Sequence, residues 1–394
     1  DHQRVRRFPI HLLTPPRLSS MKITAVRAIT VRYPEPHDHN RPRLLTLVRI
    51  ATDSGQVGWG EAITMFIGAC RATEAVVQED FAPLLLGQDP LDVAGLHDRL
   101  RRHVWWYGPQ GIAALALSAV DIALWDLKGR ILQQPVWSLL GGKVRDQVVP
   151  CACIHFDMDR FEWNLAEFRA FAAAGYRYVK GGWGSRPDNV FGQDRAQDIA
   201  LVAAARGAIG EKVDLVVDAL AARTRWDVKT AAQRCRDFAP YRLRWIEEPL
   251  PPSDLEGHVA LRALTDTAIG TGEQEWNLEG YRRLLRYGAV DVVQMDPART
   301  QGITGTMAII RLLEAENKVF SLHTWSSALC TAAGIAVQAA STHALTFDHK
   351  PHPNPMQHEL VEDPWVVEGG VIAVRSTPGL GVTVREDVVE KYRS

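Results

Sequence analysis

The sequence predicts an α/β fold: a barrel of parallel strands and helices, preceded by an α+β domain. From about residue 149 onward, short apolar runs alternate with amphipathic segments, which is the pattern of repeated strand–helix units. Five charged or ionisable residues follow successive runs at intervals of 29, 26, 23 and 27 residues, about the length of one such unit. No phosphate-binding GxGxxG turn follows any run, which favours a closed barrel over an open sheet.

Composition limits the classes of protein and partner. The 394 residues are 46% apolar and 23% charged, with a formal net charge of -1, as in a soluble globular chain of two domains. Scattered Lys and Arg give no basic patch, and no apolar stretch approaches the ~20 residues of a spanning helix. We therefore expect neither a nucleic-acid nor a membrane partner. Five cysteines without CxxC pairing favour reduced thiols in a cytoplasmic protein.

The first half divides into an extension and an α+β domain. Residues 1–20 are basic but lack the apolar core of a signal peptide, so we expect a disordered extension. Residues 21–148 open with the runs KITAVRAITVRY and RLLTLVRIATDSGQVGWGEA, which predict an antiparallel meander with a turn at Ser54-Gly55. Helical periodicity then extends through GIAALALSAVDIALWDLKGRILQQPVWSLLGG and ends at Gly141-Gly142.

The barrel is predicted over residues 149–362, and a C-terminal segment follows at 363–394. Its eight candidate strands are VVPCACIH, YRYVKGG, DLVVDAL, LRWIEEP, AIGTGE, AVDVVQMD, KVFSLH and HALTFDH. Cys151 and Cys153 alternate on the first strand and are assigned to the core. The last segment resembles a β hairpin and a terminal helix, which we expect to return to the first domain.

Carboxylates at the ends of three successive strands predict a metal site. Parallel strands place their carboxyl ends at one mouth, so Asp218, Glu247 and Glu273 would converge there. Oxygen ligands favour Mg²⁺ over Zn²⁺, which prefers His or Cys. Glu247 rather than Glu248 is assigned as the ligand, because adjacent strand residues point to opposite sides. Each carboxylate taken alone would more often be a helix N-cap or an ion-pair partner.

Asp296 and His323 follow the next two strands and form a candidate acid/base pair. Asp296 would hydrogen-bond His323, fix its tautomer and raise its basicity. The alternative for an isolated histidine after an apolar strand is a satisfied core residue. Removing a proton next to a carboxylate creates a second negative charge, which a chelated cation stabilises.

Several motifs, in this order and spacing, carry a family resemblance. They are AVDIALWDLKGRILQQPVWSLLGG, VVDA, WIEEPL, GTGE, QMD, SLHT and TPGLGV, and the match runs from about residue 21 to 394. The chain resembles the enolase superfamily, in its mandelate racemase-like branch. The resemblance implies an α+β cap over a modified (β/α)7β TIM-type barrel, one Mg²⁺ per chain, and abstraction of a proton next to a carboxylate.

The second strand departs from the pattern of the racemases that the chain resembles. Those racemases carry Lys-x-Lys, and the second Lys is a base on the face opposite the His. This chain reads YVKGGWG, with Lys180 first and Gly182 in the second position. One base facing a metal favours β-elimination of water from a sugar acid, as in the acid-sugar dehydratases of the branch. Lys180 would bind the substrate carboxylate or a hydroxyl; alternatively it neutralises the acidic cluster.

Other functions and contacts remain open at this point. An epimerase or cycloisomerase would use the same enolate intermediate, and a non-catalytic acid-sugar-binding or regulatory protein is a third alternative. We expect a small acid-sugar substrate and a homo-oligomer. Relatives often carry a Glu 20 residues after the catalytic His; this position is His343 here, and Asp348 is the alternative. The candidate substrate contacts are His37, His155, Trp183, Arg186, His343 and Asp348.

Overall fold

A computed structural model describes residues 21–183, 190–220 and 225–394. The first domain begins with the predicted meander, a three-stranded antiparallel sheet in the order β1-β2-β3. Its strands are β1 (Ile23–Glu35), β2 (Arg41–Thr52) and β3 (Val57–Ala62). Residues Pro36–Asp38 form a short 3-10 turn between the first two strands.

One long helix joins this sheet to the barrel. The helix Ile112–Leu132 is buried around most of its circumference, because it packs on β3 and also on the barrel helix Gly302–Ala315. A side chain at Gly60 would place its Cβ 2.0 Å from the carbonyl oxygen of Ala119, so only glycine allows this approach. The remaining helices of the domain are Ile67–Ala75, Ala82–Leu85, Val93–His103 and Val136–Leu139, with a π-helical turn at Val76–Phe81.

Eight parallel strands close into the predicted barrel, each hydrogen-bonded to its neighbours in the closed order β10-β11-β12-β5-β6-β7-β8-β9. They are β5 (Pro150–His155), β6 (Tyr178–Gly182), β7 (Asp214–Asp218), β8 (Leu243–Glu247), β9 (Ile269–Thr271), β10 (Val292–Met295), β11 (Val319–Leu322) and β12 (Ala344–His349). The intervening helices are Phe161–Ala173, Arg195–Ile209, Val228–Phe238, Leu255–Arg262, Leu278–Tyr287, Gly302–Ala315 and Ala328–Ala339. A π-helical turn, Pro355–Glu359, follows β12 in place of an eighth helix, which is the modified (β/α)7β pattern.

The C-terminal segment contacts both parts of the chain. The predicted hairpin is short: Glu368 and Val371 form an antiparallel bridge across Gly369-Gly370. The strand that follows, β13 (Ile372–Ala373), pairs antiparallel with β4 (Gln147–Val148), the segment that enters the barrel. The terminal helix Glu386–Tyr392 packs on β1, and Arg49 Nε donates to Glu386 at 3.0 Å. The segment therefore returns to the first domain.

Apolar side chains form most of the buried core of both domains. All five cysteines are buried and free of disulfides. Within the described ranges, every helix is too short or too polar to cross a membrane.

Candidate active site

The predicted site residues lie at one mouth of the barrel. Asp218 ends β7, Glu247 ends β8, and Glu273 lies two residues beyond β9. Asp296 and His323 directly follow β10 and β11. Because all eight strands are parallel, their carboxyl ends bring these five side chains to the same end of the barrel, where barrel enzymes hold their catalytic groups.

His323 and Asp296 form a hydrogen-bonded pair. Nδ1 of His323 lies 2.6 Å from Oδ2 of the fully buried Asp296, whose other oxygen accepts the backbone N–H of Ala298 at 2.7 Å. Burial lowers the pKa of His323, but the hydrogen bond and charge of Asp296 raise it to a net value above the ordinary one. The Nε2 atom remains available, and the side chain is 20% exposed, so a small molecule can reach it.

Two of the three predicted metal ligands, Asp218 and Glu247, are buried, and the third, Glu273, is partly buried. Burial, together with the negative charge of Glu247, raises the pKa of Asp218 well above its ordinary value. Burial and the charges of Glu248 and Glu247 do the same for Glu273. The Oε2 atom of Glu273 is buried and has no hydrogen-bond partner among the described residues. Clustered carboxylates with an unused buried oxygen fit a hard divalent cation, whose charge would offset their repulsion.

Lys180 joins this acidic cluster to β12. Its Nζ donates to Glu247 Oε1 at 2.7 Å and to Asp348 Oδ2 at 2.8 Å, and the side chain is 1% exposed. Burial lowers the pKa of Lys180, but Asp348 and Glu247 raise it well above the ordinary value. The second oxygen of Glu247 accepts Trp245 Nε1 at 3.2 Å. Lys180 thus neutralises carboxylates in this structure, and a substrate contact stays a prediction.

A second group of potential ligand atoms does not fit a metal. Among the described residues, Cys151, Cys153 and Asp348 have ligand atoms within 4.8 Å of one another. Burial raises the pKa of the Cys153 thiol well above its ordinary value, so the thiol stays protonated. Asp348 is already paired with the Lys180 ammonium. These cysteines therefore belong to the core of the barrel.

Glu248 lies in the same acidic region but has its own partner. Its Oε2 accepts Gln274 Nε2 at 2.7 Å, and burial raises the pKa of Glu248 to about 7. Its backbone φ is +42°, an unusual value for a residue with a side chain. The assignment of Glu247 rather than Glu248 as the metal ligand remains a prediction.

Three aromatic rings contact one another at the mouth of the barrel. His155, at the end of β5, contacts Trp183 with ring centroids 4.9 Å apart and Trp325 with centroids 6.0 Å apart. In the closed strand order, β12 and β5 lie across the barrel from β8 and β9. His155 therefore lies across the mouth from Glu247 and Glu273.

The glycine in β6 has no space for a side chain. A Cβ at Gly182 would lie 1.9 Å from the backbone oxygen of Asp218, to which Gly182 is paired in the neighbouring strand. A lysine at this position would require β6 and β7 to separate. The packing of β6 on β7 therefore excludes a lysine at position 182.

One predicted substrate contact is wrong and two lie outside what the structure describes. His343 precedes β12, at the end of the barrel opposite the site, where its ring contacts Thr342 Oγ1 at 2.7 Å. The 20-residue offset fails because β12 extends as far as His349 before it reaches the mouth. Asp348, the alternative, lies inside the barrel on Lys180. Arg186 lies outside the described residues, as does the side chain of His37.

Sequence reasoning missed three buried charged side chains at the contact between the capping domain and the barrel loops. Glu61, in β3, accepts hydrogen bonds from the loop after His323, and Lys350, directly after β12, donates to Glu35 of β1 at 2.7 Å. All of these charged side chains are buried. A charged residue inside an apolar strand, as in GWGEA, was the available signal.

The fold and the site define a class of protein: a barrel enzyme with an acidic mouth and a hydrogen-bonded His–Asp pair. Comparisons with known proteins identify its family. Residues 37–141 match the mandelate racemase / muconate lactonizing enzyme N-terminal domain, and residues 164–388 match the enolase C-terminal domain-like family. The chain belongs to the enolase superfamily, in the mandelate racemase-like branch.

Its relatives catalyse more than one reaction. A D-gluconate dehydratase from Thermoproteus tenax is 31% identical over 92% of this chain and 73% of the relative. A D-galactarolactone cycloisomerase from Agrobacterium fabrum is 30% identical over 95% and 99%. A mandelate racemase/muconate lactonizing protein from Paracoccus denitrificans, solved in complex with magnesium, has a TM-score of 0.84 and 30% identity, covering 95% of this chain and 99% of that one.

Proposed function

We propose that this enzyme is a magnesium-dependent hydro-lyase that converts a sugar acid into a 2-keto-3-deoxy acid. The observation that carries the proposal is the asymmetry of the mouth. His323 and Asp296 provide one reachable base, while the second strand holds Gly182 where a two-base racemase needs a lysine. Elimination needs only one proton-transfer group, since the proton taken from carbon can leave with the departing oxygen.

Asp218, Glu247 and Glu273 would hold the cation. Its chemistry, when bound, is to stabilise the negative charge that develops on the substrate carboxylate as the neighbouring proton leaves. The buried, unpartnered oxygen of Glu273 and the mutual repulsion of the carboxylates support this assignment. Glu247 would change partners on loading, because both of its oxygens bond to Lys180 and Trp245 in this structure.

His323 carries the proton through the reaction. Nε2 takes the proton from C2, and the electron pair of that C–H bond passes into the enolate of the carboxylate. The pair then forms the C2–C3 double bond as the C3–O bond breaks, and the protonated Nε2 gives its proton to the departing hydroxyl. Water and an enol result, and the enol tautomerises to the 2-keto acid. Asp296 stabilises the imidazolium between the two transfers.

We propose that Lys180 and the rings of His155, Trp183 and Trp325 orient the substrate. Trp183 is half-buried and is held against His155, so its ring can contact the carbon skeleton of a sugar. Lys180 lies below this ring, with Nζ 5.7 Å from its centroid. Asp348 would then act by holding Lys180 rather than by touching the substrate.

A cycloisomerase is the second candidate, favoured by the 30% identical relative that acts on D-galactarolactone. Its reaction would use the same enolate but expel a ring oxygen that stays attached to the product. Mass separates the two reactions, because dehydration releases water and isomerisation does not.

The test is a panel of mono- and diacid sugars and their lactones, incubated with the purified enzyme and Mg²⁺. We expect a 2-keto acid from at least one open-chain acid, detected with a carbonyl reagent, and no product with His323→Ala. An isomer of unchanged mass without a keto acid would favour the cycloisomerase. No product and no exchange of the C2 proton with any compound would refute both.

A further inference from the structure

The capping domain reaches into the acid/base pair through one buried carboxylate. Glu61 lies near the end of β3 and has no exposed surface. Four groups of the loop after β11 and of the helix that follows it donate to Glu61: the hydroxyls of Ser326 and Ser327, the backbone N–H of Ser327 at 3.3 Å and that of Cys330, in the first turn of the helix, at 3.2 Å. This loop begins at His323, so a residue of one domain holds the segment that carries the base of the other.

The same carboxylate lies at the start of the helix that follows His323. Ser327 is the N-cap of the helix Ala328–Ala339, and its hydroxyl accepts the N–H of Leu329 at 3.1 Å while donating to Glu61. An anion is stabilised at a helix N-terminus by the unpaired N–H groups there. Glu61 therefore binds the N-terminus of this helix.

Contacts near Glu61 also extend to Asp296. The Sγ atom of Cys330, whose N–H binds Glu61, lies 3.4 Å from Asp296 Oδ1. Two residues after Glu61, the N–H of Ile63 donates to the carbonyl of Ala298 at 3.3 Å, and the N–H of Ala298 donates to Asp296. The cap segment 61–63 thus touches the loops of both members of the pair.

We propose that Glu61 is a positioning residue for His323 and Asp296: it holds their two loops from the capping domain so that the 2.6 Å hydrogen bond between them is kept. The proposal rests on the proposed function only in taking His323 as the base. It adds a role for the capping domain in forming the proton-transfer group, which depends on domain docking and not on the barrel alone.

The test compares three variants. Glu61→Gln keeps the size of the side chain but leaves one oxygen and an NH2 group for four donors. Ser326→Ala removes a single hydrogen bond to Glu61 and changes no charge. Glu74→Gln is the matched control, because Glu74 is a cap carboxylate bonded within its own domain to Thr30 at 2.8 and 2.6 Å.

Two measurements are made on the full chain. Exchange of the imidazole C2 proton, followed by mass spectrometry over a pH series, gives the pKa of His323 without a substrate. Thermal unfolding of the same samples reports stability. The charged groups around His323 are Asp296, Asp348, Lys180 and Glu248, and those around Glu61 are Asp296, Lys350 and, when ionised, Tyr33. None of these groups is altered in the three variants.

We expect the pKa of His323 to fall toward 6.5 in Glu61→Gln and in Ser326→Ala, and to match wild type in Glu74→Gln. On an acid sugar that the wild type turns over, kcat should fall roughly 10- to 100-fold in Glu61→Gln with little change in KM. If Glu61→Gln does not fold, Ser326→Ala decides the question by the same exchange measurement.

Two results would overturn the proposal. An unchanged His323 pKa in Glu61→Gln, despite a lower unfolding temperature, would make Glu61 a purely structural clamp. If the pKa of His323 falls in Glu61→Gln but not in Ser326→Ala, the effect is due to the loss of the Glu61 charge and not to the loss of positioning. If the wild type turns over no acid sugar, the proposed function fails, but the exchange measurement still tests the role of Glu61.

Discussion

Replacing Asp296 with asparagine tests the acid/base pair most selectively. Oδ1 of Asp296 accepts the backbone N–H of Ala298 at 2.7 Å, so the amide oxygen of the asparagine is held on that side. Its NH2 group then faces Nδ1 of His323, where Asp296 Oδ2 lies at 2.6 Å in the native protein. A donor facing Nδ1 makes that atom an acceptor, which moves the imidazole proton to Nε2.

The consequence is a base in the wrong tautomer. Nε2 would carry a proton and could not remove one from C2, although the geometry of the mouth is retained. Loss of a positioned base costs roughly 10²- to 10⁴-fold in rate, or ~3–5 kcal/mol in activation free energy. We expect kcat to fall by this amount in a 2-keto-acid assay. Asp291→Asn, directly before β10 and so at the other end of the same strand, is the control and should keep wild-type kcat.

The pH profile provides a second readout. His323 acts as the base when neutral, so kcat/KM rises with pH through its pKa, which Asp296 raises. In Asp296→Asn the residual activity should rise at lower pH than in wild type. The raised pKa also contributes folding stability that is fully present below the unfolded pKa of about 6.5 and is lost as pH rises through the folded pKa. A loss of less than about tenfold in kcat would refute the reasoning.

Three further predictions concern packing, metal and buried charge. Gly182→Ala places a Cβ 1.9 Å from the backbone of Asp218 and should lower the free energy of unfolding in denaturant by ~1–3 kcal/mol. Gly207→Ala is the control, because Gly207 lies on a helix with open space around it, and it should cause no such loss. Equal stability of the two variants would show that Gly182 is not closely packed. Chelation by EDTA should abolish turnover, and added Mg²⁺ should restore it. Mg²⁺ should also raise the unfolding temperature, and the increase should be smaller in Asp218→Asn than in wild type. Full activity in the presence of the chelator would exclude a metal requirement. Lys350→Met leaves Glu35 buried without its cation and should lower the free energy of unfolding by ~3–5 kcal/mol in the same denaturant experiment. The double variant Glu35→Gln/Lys350→Met should recover part of that loss. A wild-type free energy of unfolding in Lys350→Met would show that the pair is not stabilising.

Features that repeat locally along the chain were predictable from the sequence. The apolar runs that end at Asp218, Glu247, Asp296 and His323 correspond to strands β7, β8, β10 and β11. The regular spacing of these residues brings their side chains together, because the carboxyl ends of parallel strands meet at one mouth of the barrel. Gly182 could also be interpreted from the sequence, because it occupies the position at which the racemases have their second lysine.

Contacts between distant segments were not predictable in this way. Lys180 and Asp348 are 168 residues apart, and Glu61 and Ser326 are 265 apart, so no periodicity relates them. The His343 assignment failed because counting residues from His323 does not show where β12 begins and ends. The pairing of β13 with β4 likewise depends on where the tail meets the domain junction.

The central claim is that one base eliminates water from a sugar acid, and a reaction in D2O tests it directly. The enzyme, with Mg²⁺, is incubated with each acid sugar of the panel, and the product is analysed by mass spectrometry and NMR. We expect a 2-keto-3-deoxy acid, lighter than the substrate by one water before deuterium is counted, and no reaction with His323→Ala. Recovery of the acid with deuterium at C2, or of an epimer or ring isomer, and no keto product would contradict it.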